Sequence, residues 1–448
     1  MEDKNFDRVL GKKDIIALAF GAMIGWGWVI LVGDWIAKAG TAGGMLAFIL
    51  GGIMVVFVGL VYAELTSAMP ECGGASVFSR RALGKNASFV CTWALILGYV
   101  GVVAFEACAF PNVVEYLIPN FLKGHMYTIA GFDIYASWVA VGVISSMIIT
   151  AINYFGAKQA AVLQTILTVS IAAVGIALMC GSAVTGDISN TAPLVKNGVS
   201  GIVAVTIVTP FMYVGFDVIP QAAEEINMPF EKIGKILILS IVMAVSWYAL
   251  VILAVSMVMS DEQMNSSILV TADAMMYAFG GKKIAAQILI IAGLAGIVSS
   301  WNAFLMGGSR AIYSLAQAEM LPAFLGKLHP KYKTPTNAIL LIGVCSCIAP
   351  FFGKSMMGWV ANAGSFGIVT AYLIVSISYI VLRKKEPNMH RPYKIKNHKF
   401  VGYMAVILSA IMLILYIPGL IMAEWVIVGA WVILGAILFL SAKKKYSK

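Results

Sequence analysis

The chain has 448 residues, of which 60% are hydrophobic and 12% are charged, and its formal net charge is +10 at pH 7. Soluble domains hold roughly 45–50% apolar and about 25% charged residues, so this composition excludes an ordinary soluble protein and indicates an integral membrane protein. A bilayer core of about 30 Å needs about 20 apolar residues per helix, which predicts about twelve spanning helices. They are expected at 15–37, 42–67, 88–118, 134–152, 159–182, 200–223, 234–259, 284–316, 336–352, 357–382, 400–420 and 422–441.

The basic residues predict the orientation of these helices. If the N-terminus is cytosolic, most of the 31 Lys and Arg residues fall in cytosolic segments, as the positive-inside rule requires. We therefore expect a multi-pass protein of the cytoplasmic (inner) membrane, in contact with the lipid bilayer, with both termini in the cytosol. The same distribution accounts for the positive net charge without a nucleic-acid partner. No cleavable signal peptide is expected, because the first apolar run is too long and another follows at once.

The first spanning run contains a weak point, the sequence GAMIGWGW at Gly21–Trp28. Gly21, Gly25 and Gly27 lie there, and glycine costs about 1 kcal/mol against alanine inside a helix. A break would leave backbone groups unpaired at membrane depth, which is tolerated only where they line a protein-enclosed cavity or a ligand. Alternatively, the glycines let an unbroken helix pack closely against a neighbour. A binding site and a packing surface both remain open here.

Two charged residues belong to later helices. Glu106 lies in the third predicted helix, within VVAFEACAFP. A carboxylate at membrane depth is costly and indicates a pathway or binding role, although a structural pair or a position near the outer end would also accommodate it. Lys158 opens the fifth helix after NYFG, and from the sequence alone it is interpreted as a snorkelling residue at the cytosolic boundary.

The sixth predicted helix contains a second interruption, TPFMYVGFDVIPQ. Pro210, Gly215 and Pro220 make an unbroken helix unfavourable. Asp217, beside the break, could coordinate a cation or fix the broken backbone. The aromatic residues Phe211, Tyr213 and Phe216 could form the walls of a site.

The two interrupted helices are the first and the sixth, and an odd offset makes corresponding helices antiparallel. Paired interruptions of this kind indicate an inverted-repeat secondary transporter with its site near the bilayer midplane. Half-helix N-termini bind anionic groups there and exposed carbonyls bind cations, so a zwitterion or an amine would fit. The repeats are expected at 1–182 and 183–399, followed by two peripheral helices at 400–448.

Cysteine and histidine give little support for a metal site or an enzyme. The six cysteines lie mostly in or beside apolar runs, where buried thiols are expected rather than disulfides. All four histidines fall in predicted loops, so no helix carries a pair of histidine ligands. We expect no catalytic residues, no cofactor and no metal. A channel is a further alternative, but broken helices favour a carrier that occludes its substrate.

Several motifs in order resemble the amino acid–polyamine–organocation superfamily of transporters, over most of the first ten helices. The resemblance implies an all-α, LeuT-type fold with a 5+5 inverted repeat plus two peripheral helices. It also implies secondary active transport of amino acids by alternating access, independent of sodium and using proton coupling or exchange. The motifs are GAMIGWGW, Glu64–Gly84, NYFGAK at Asn153–Lys158, FMYVGFD with EEINMP at Phe211–Pro229, and Ser309–Pro335.

The resemblance further implies roles for individual residues. The backbone of Gly25, Trp26 and Gly27 would receive a substrate carboxylate. Carbonyl groups around Met23, Ile24 and Phe211 would receive its ammonium group, and Phe211 would gate the site. Lys158 would lie near Ser299 and Ser300 of the eighth helix, in the place of the second sodium ion of sodium-coupled relatives, and would organise coupling. The other candidate substrate-binding residues are Glu106, Tyr213, Gly215, Phe216 and Asp217.

Trp26 departs from the family pattern, which places a small residue between the two glycines. Its indole either shrinks the pocket or points away into packing. An amine without a carboxylate, such as ethanolamine or a polyamine, would then suit the site better, with Glu106, Asp217 or the face of Trp26 serving the cation. An amino acid is the expected substrate, and an amine is the alternative.

Overall fold

The computed structural model describes residues 6–118, 120–267 and 269–446, and these are almost entirely helical. Ten helical stretches within these ranges are long and apolar enough to cross a membrane. Two of them, Gly27–Ala68 and Thr336–Lys385, each hold two crossings, because the backbone turns at Gly40 and Gly353 with φ of 75° and 69°. The described chain therefore makes the twelve crossings that the hydropathy predicts.

The helices and strands are labelled in chain order. The helices are α1 Lys12–Met23, α2 Gly27–Ala68, α3 Ala75–Leu83, α4 Lys85–Leu117, α5 Ala136–Phe155, α6 Ala157–Thr185, α7 Gly198–Thr206, α8 Thr209–Tyr213, α9 Val218–Gln221, α10 Phe230–Val258, α11 Asp261–Ser266, α12 Val270–Ala278, α13 Lys283–Gln317, α14 Thr336–Ile348, α15 Gly353–Lys385, α16 His398–Tyr416 and α17 Met422–Tyr446. The strands β1 His125–Ile129 and β2 Phe132–Tyr135 form an antiparallel hairpin, which the sequence analysis did not predict.

The crossings are numbered 1 to 12 in chain order. Crossing 1 combines α1 with the part of α2 before Gly40, and crossing 2 is the rest of α2. Crossings 3, 4 and 5 are α4, α5 and α6, and crossing 6 runs from α7 to α9. Crossings 7 to 12 are α10, α13, α14, α15, α16 and α17.

Both predicted interruptions are present, and they touch each other. Crossing 1 loses its helical backbone after Met23 and resumes at Gly27, and crossing 6 is interrupted between Tyr213 and Val218. Gly215 has φ of 139°, and a Cβ atom there would lie 2.8 Å from Ala22 Cβ and 3.0 Å from the amide nitrogen of Met23. The two breaks therefore meet at a contact that only glycine permits, since other residues rarely adopt this φ.

The packing of the crossings follows the five-helix offset. Crossings 2 and 7, 3 and 8, and 4 and 9 pack in pairs, as do 3 with 10, 8 with 5, 1 with 5 and 6 with 10. If crossings 1 to 5 are exchanged in order with crossings 6 to 10, the same set of packed pairs results, as a 5+5 repeat requires. The bounds 1–182 and 183–399 for the repeats stay predictions.

Crossings 11 and 12 lie at the periphery. Only 33% and 17% of their most apolar windows are buried, against 78% for α4 in the centre. Their outer faces are consequently available to lipid, as expected of the last two helices.

Candidate functional site

A small cavity lies where the two interruptions face crossings 3, 7 and 8. The predicted site residues that line it are Met23, Gly25, Trp26, Gly27, Glu106, Phe211 and Ser300. The other lining residues are Ala22, Val102, Phe105, Met212, Val214, Tyr248 and Phe304.

Glu106 brings a carboxyl group to this cavity. Ser300 donates its hydroxyl hydrogen to Oε1 of Glu106, while Oε2 is buried and has no hydrogen-bond partner among the described residues. The residue is only 3% exposed, and no described Lys or Arg forms an ion pair with it. A buried carboxyl oxygen without a partner is a strong acceptor for a cationic group or a site for a proton.

The interrupted backbone of crossing 1 supplies hydrogen-bond donors. In the described part of the chain, no acceptor takes the backbone N–H groups of Gly25, Trp26 and Gly27. These amides immediately precede or begin α2, where the helix dipole favours negative charge. The segment thus offers an anion-binding end to the same cavity that Glu106 enters.

Two of the carbonyl groups expected to receive an ammonium group, those of Met23 and Ile24, already accept hydrogen bonds. Tyr248 donates its hydroxyl hydrogen to the carbonyl of Met23 at 2.6 Å and lies 3.3 Å from that of Met212, so it ties the two broken segments together. The indole N–H of Trp28 donates to the carbonyl of Ile24 at 3.0 Å. Ile24 itself is fully buried and does not line the cavity. The carbonyl oxygens of Met23 and Ile24 can each accept one more hydrogen bond. Oε2 of Glu106 has no partner at all among the described residues, so it is the more available acceptor.

Phe211 stands at the more open side of the cavity. It is half-buried, and so is Phe105 of α4, whose ring lies 5.9 Å away at an interplanar angle of 65°. The remaining hydrophobic walls, including Met212 and Val214, are buried. Phe211 and Phe105 are therefore placed where two aromatic rings can cover the cavity.

Asp217 lies outside the cavity lining and fixes the broken backbone. It is fully buried, its Oδ2 accepts a hydrogen bond from the hydroxyl of Tyr99 at 2.7 Å, and its Oδ1 accepts one from the N–H of Gly215 at 2.9 Å. Of the two roles left open by the sequence, the contacts fit the structural one.

Two of the predicted aromatic walls also face away from the cavity. Tyr213 donates its hydroxyl hydrogen to the carbonyl of Phe48 at 2.8 Å, and Phe216 packs against Tyr62 and Tyr372. Both side chains are fully buried. They hold crossing 6 against crossings 2 and 10 and do not line the cavity.

Lys158 is not where the resemblance placed it. It is exposed at the start of α6, whereas Ser299 is fully buried in α13. The neighbours of Ser299 are Gln164, whose Nε2 donates to it at 2.7 Å, and Thr168, whose hydroxyl lies 3.4 Å away. Lys158 precedes Gln164 by almost two helical turns, about 9 Å along α6, so it cannot enter this uncharged cluster. The expected burial of Lys158 beside Ser299 and Ser300 is corrected accordingly.

Several lining residues were missed by the sequence analysis. Val102 precedes Glu106 by four positions, and Phe304 follows Ser300 by four, so helical spacing could have placed them on the same faces as the predicted residues. For Tyr248 the sequence held only a weak indication of a site residue, namely a tyrosine hydroxyl within the apolar helix α10. Which carbonyls it bonds depends on how α10 packs against both interruptions.

The comparison with protein families matches residues 10–439 to the amino acid permease family. The match extends from the segment before α1 into α17 and includes every residue of the cavity. The chain belongs to the amino acid permease family. The superfamily inferred from the ordered motifs is thereby confirmed, and this permease is a multi-pass membrane transporter rather than an enzyme.

Relatives of this permease differ in the solutes named for them. The branched-chain amino acid permease BcaP of Bacillus subtilis is 26% identical over 415 residues, which cover 90% of this chain and 87% of that protein. The methylthioribose transporter of the same organism is 26% identical over 440 residues, covering 95% and 92%. The vacuolar cationic amino acid transporter 4 of Arabidopsis thaliana is 28% identical over 397 residues, covering 85% and 64%.

Proposed function

We propose that this permease moves a small amino acid across the cytoplasmic membrane by alternating access, with the substrate bound in the cavity between the two interruptions. One observation carries this proposal. A single cavity offers both groups that a zwitterion needs, the free amides at Gly25–Gly27 and the free Oε2 of Glu106. The substrate carboxylate binds the amides, and its ammonium group binds Glu106. The amino acids named for two of the relatives support the same class of substrate.

Glu106 also provides a route to coupling, in place of the exposed Lys158. Burying an unpaired carboxylate costs several kcal/mol, so Glu106 holds either a proton or the substrate's ammonium group. Substrate binding then displaces a proton, which fits proton-coupled exchange. In the cluster around Ser299, Nε2 of Gln164 donates to the Ser299 hydroxyl and to the carbonyl of Ala17, so an amide already engages the oxygens that a sodium ion would need. This supports transport that is independent of sodium.

Uptake by purified protein in liposomes tests this function. We expect saturable counterflow of a small amino acid such as alanine that persists when choline replaces sodium. Ethanolamine and putrescine, which lack a carboxylate, are expected to bind more weakly in a thermal-shift assay. Binding of the amines alone would instead establish the amine alternative. No counterflow and no thermal shift with any amino acid would overturn the proposal.

The Glu106→Gln variant tests the role of the carboxylate. It loses a charge-assisted hydrogen bond worth about 1.5–3 kcal/mol, so substrate affinity is expected to fall about tenfold or more. The pH dependence of affinity should disappear, whereas the unmodified protein should bind more tightly as the pH rises. Glu115→Gln is the matched control in the same helix, because Glu115 pairs with Lys354 and lies outside the cavity. Equal affinities for the two variants would contradict the assignment.

A further inference from the structure

The indole of Trp26 is seated against a glycine of α13. A Cβ atom at Gly293 would lie 1.7 Å from Cζ3 and 2.5 Å from Cε3 of Trp26, distances that no real pair of atoms could keep. Trp26 is 2% exposed and lines the cavity. Position 293 therefore has to be glycine for the indole to occupy its present place.

The same face of α13 accommodates the whole interrupted segment. Gly296 lies one turn after Gly293, and a Cβ atom there would be 2.9 Å from the carbonyl oxygen of Gly25. Ser300 follows one turn later, with its hydroxyl 2.8 Å from the Cβ position of Gly25. The helix thus lets the segment approach closely and directs how far the indole withdraws from the cavity.

A second observation points to a ligand in front of this indole. The indole nitrogen of Trp26 is buried and has no hydrogen-bond partner in the described chain, and the same is true of Oε2 of Glu106. Both residues line the same cavity. A buried donor and a buried acceptor without partners are unusual in a folded protein, and a ligand that carries both kinds of group would satisfy them.

We propose that the contact between Trp26 and Gly293 sets the largest substrate side chain that this permease accepts. This inference rests on the function proposed above. Trp26 lies between Gly25 and Gly27, whose amides would bind the substrate carboxylate. Its indole is therefore expected to lie next to the substrate side chain, which is attached to the neighbouring α-carbon. With the ring held on Gly293, the cavity is small, so we expect it to admit only the smallest substrate side chains. Any change that moves the ring forward reduces that space, and removing the ring enlarges it.

Competition binding with a graded series of amino acids tests the proposal. The probes are glycine, alanine, 2-aminobutyrate, norvaline, norleucine and phenylalanine, which share a backbone and differ in side-chain size. The unmodified protein should bind the small members best. Trp26→Ala should shift the preference toward norleucine and phenylalanine, changing the ratio of large to small affinities by about tenfold or more. Should Trp26→Ala fail to fold, Trp26→Phe is expected to produce a smaller shift in the same direction.

Gly293→Ala provides the opposite perturbation. The added methyl group displaces the indole into the cavity, so affinity should fall for all but the smallest probe. In the Trp26→Ala background the same substitution meets no ring, and its effect should be less than about twofold. Gly429→Ala in α17 is the matched glycine control because a Cβ atom there has open space. Trp425→Ala, at an indole that is 38% exposed and outside the cavity, controls for the loss of a tryptophan.

The outcomes separate this inference from the proposed function. If the unmodified protein binds the small amino acids but Trp26→Ala keeps the same size preference, the inference is wrong and the function stands. An effect of Gly293→Ala that is equally large with and without Trp26 would also overturn it. If the unmodified protein binds none of the probes, the proposed function fails, and the size limit fails with it.

Discussion

Asp217 occupies the centre of the interrupted sixth crossing, and both of its carboxylate oxygens accept hydrogen bonds from within the protein. One comes from Tyr99 of α4 at 2.7 Å and the other from the backbone of Gly215 at 2.9 Å. Glu106 is equally buried but keeps one oxygen without a described partner. Of these two buried acidic residues, Glu106 is therefore the one with an unpartnered oxygen among the described residues, and for this reason we propose it as the substrate ligand.

The hydrogen bond from Tyr99 is open to a direct test of stability. Tyr99→Phe removes the donor and leaves a buried carboxylate oxygen unpaired. The expected loss is about 1–3 kcal/mol of unfolding free energy, because the buried acceptor is left without a hydrogen bond. Thermal unfolding in detergent should show a lower Tm. Tyr403→Phe, at a tyrosine that is 50% exposed in α16, should leave it unchanged; equal Tm values for the two variants would contradict the assignment.

At the scale of elements, the segment before α1 closes one end of the bundle. Leu10 donates its N–H to the carbonyl of Glu225 and accepts from the N–H of Asn227, each at 2.9 Å. Arg310 of α13 forms a buried ion pair with Glu225 at 2.7 Å, and the ring of Phe6 packs on Tyr313. Under the alternating access proposed above, these contacts have to separate, so we predict that this closure, defined by Leu10, Glu225 and Arg310, acts as one gate of the carrier.

The reactivity of the Cys72 thiol can be used to measure whether this gate is open. Its backbone N–H donates to Glu224, its Sγ lies 3.8 Å from the carbonyl oxygen of Arg310, and it is 6% exposed. Burial, followed by the nearby carboxylates of Glu224 and Glu225, raises the pKa of the Cys72 thiol well above its ordinary value. In the closed state little reactive thiolate is therefore present at neutral pH.

Arg310→Ala should open the gate, because it leaves Glu225 buried without a partner at a cost of about 3–5 kcal/mol. Maleimide labelling of a variant with Cys72 as its single cysteine should then become faster. If the gate stayed closed, labelling would slow instead, since Arg310 lowers the pKa of this thiol. Lys85→Ala, which removes an exposed pair with Glu319, is the control and should not alter the rate.

At the scale of the whole molecule, twelve crossings place Phe6 and Tyr446, the two ends of the described chain, on the same side of the membrane. The hairpin of β1 and β2 follows the third crossing and must lie on the opposite side. The positive-inside rule predicts that these two ends lie in the cytosol. The topology therefore predicts a cytosolic C-terminal segment and an external hairpin.

Labelling of intact cells tests this topology. In a cysteine-free background, Met126→Cys in the hairpin should react with a membrane-impermeant maleimide added outside. Lys443→Cys near the end of α17 should react only after the membrane is permeabilised. Both positions are exposed, so access rather than burial decides the result. External labelling at Lys443→Cys would refute the predicted orientation.

Much of the fold could be predicted from local sequence. Each crossing needs its own run of apolar residues, so hydropathy was enough to locate all twelve. Gly25 and Gly27, and likewise Pro210 and Gly215, weaken a helix through their own backbones, so both interruptions could be predicted as well. The β-hairpin at 125–135 could not, because its strands are short and mostly exposed and carry no strong alternation.

The candidate site was only partly accessible from sequence. Residues in or beside the interruptions, such as Gly25 and Phe211, were found because the break itself marks them. Lys158 was misplaced because its distance from α13 depends on where α6 begins and which face it turns inward. Tyr248 was missed because nothing near it in the chain reveals which carbonyls it will meet.

By itself, the sequence determined that this permease is a twelve-crossing membrane protein with two broken helices, because bilayer thickness and the backbones of glycine and proline act locally. Only the tertiary structure decided which polar groups stay free. Asp217 is paired by Tyr99, 118 positions away, and Glu106 meets Ser300, 194 positions away. The indole of Trp26 rests on Gly293 of another helix. Such contacts depend on the packing of helices that are distant in the chain, and they determine which groups remain available to a substrate.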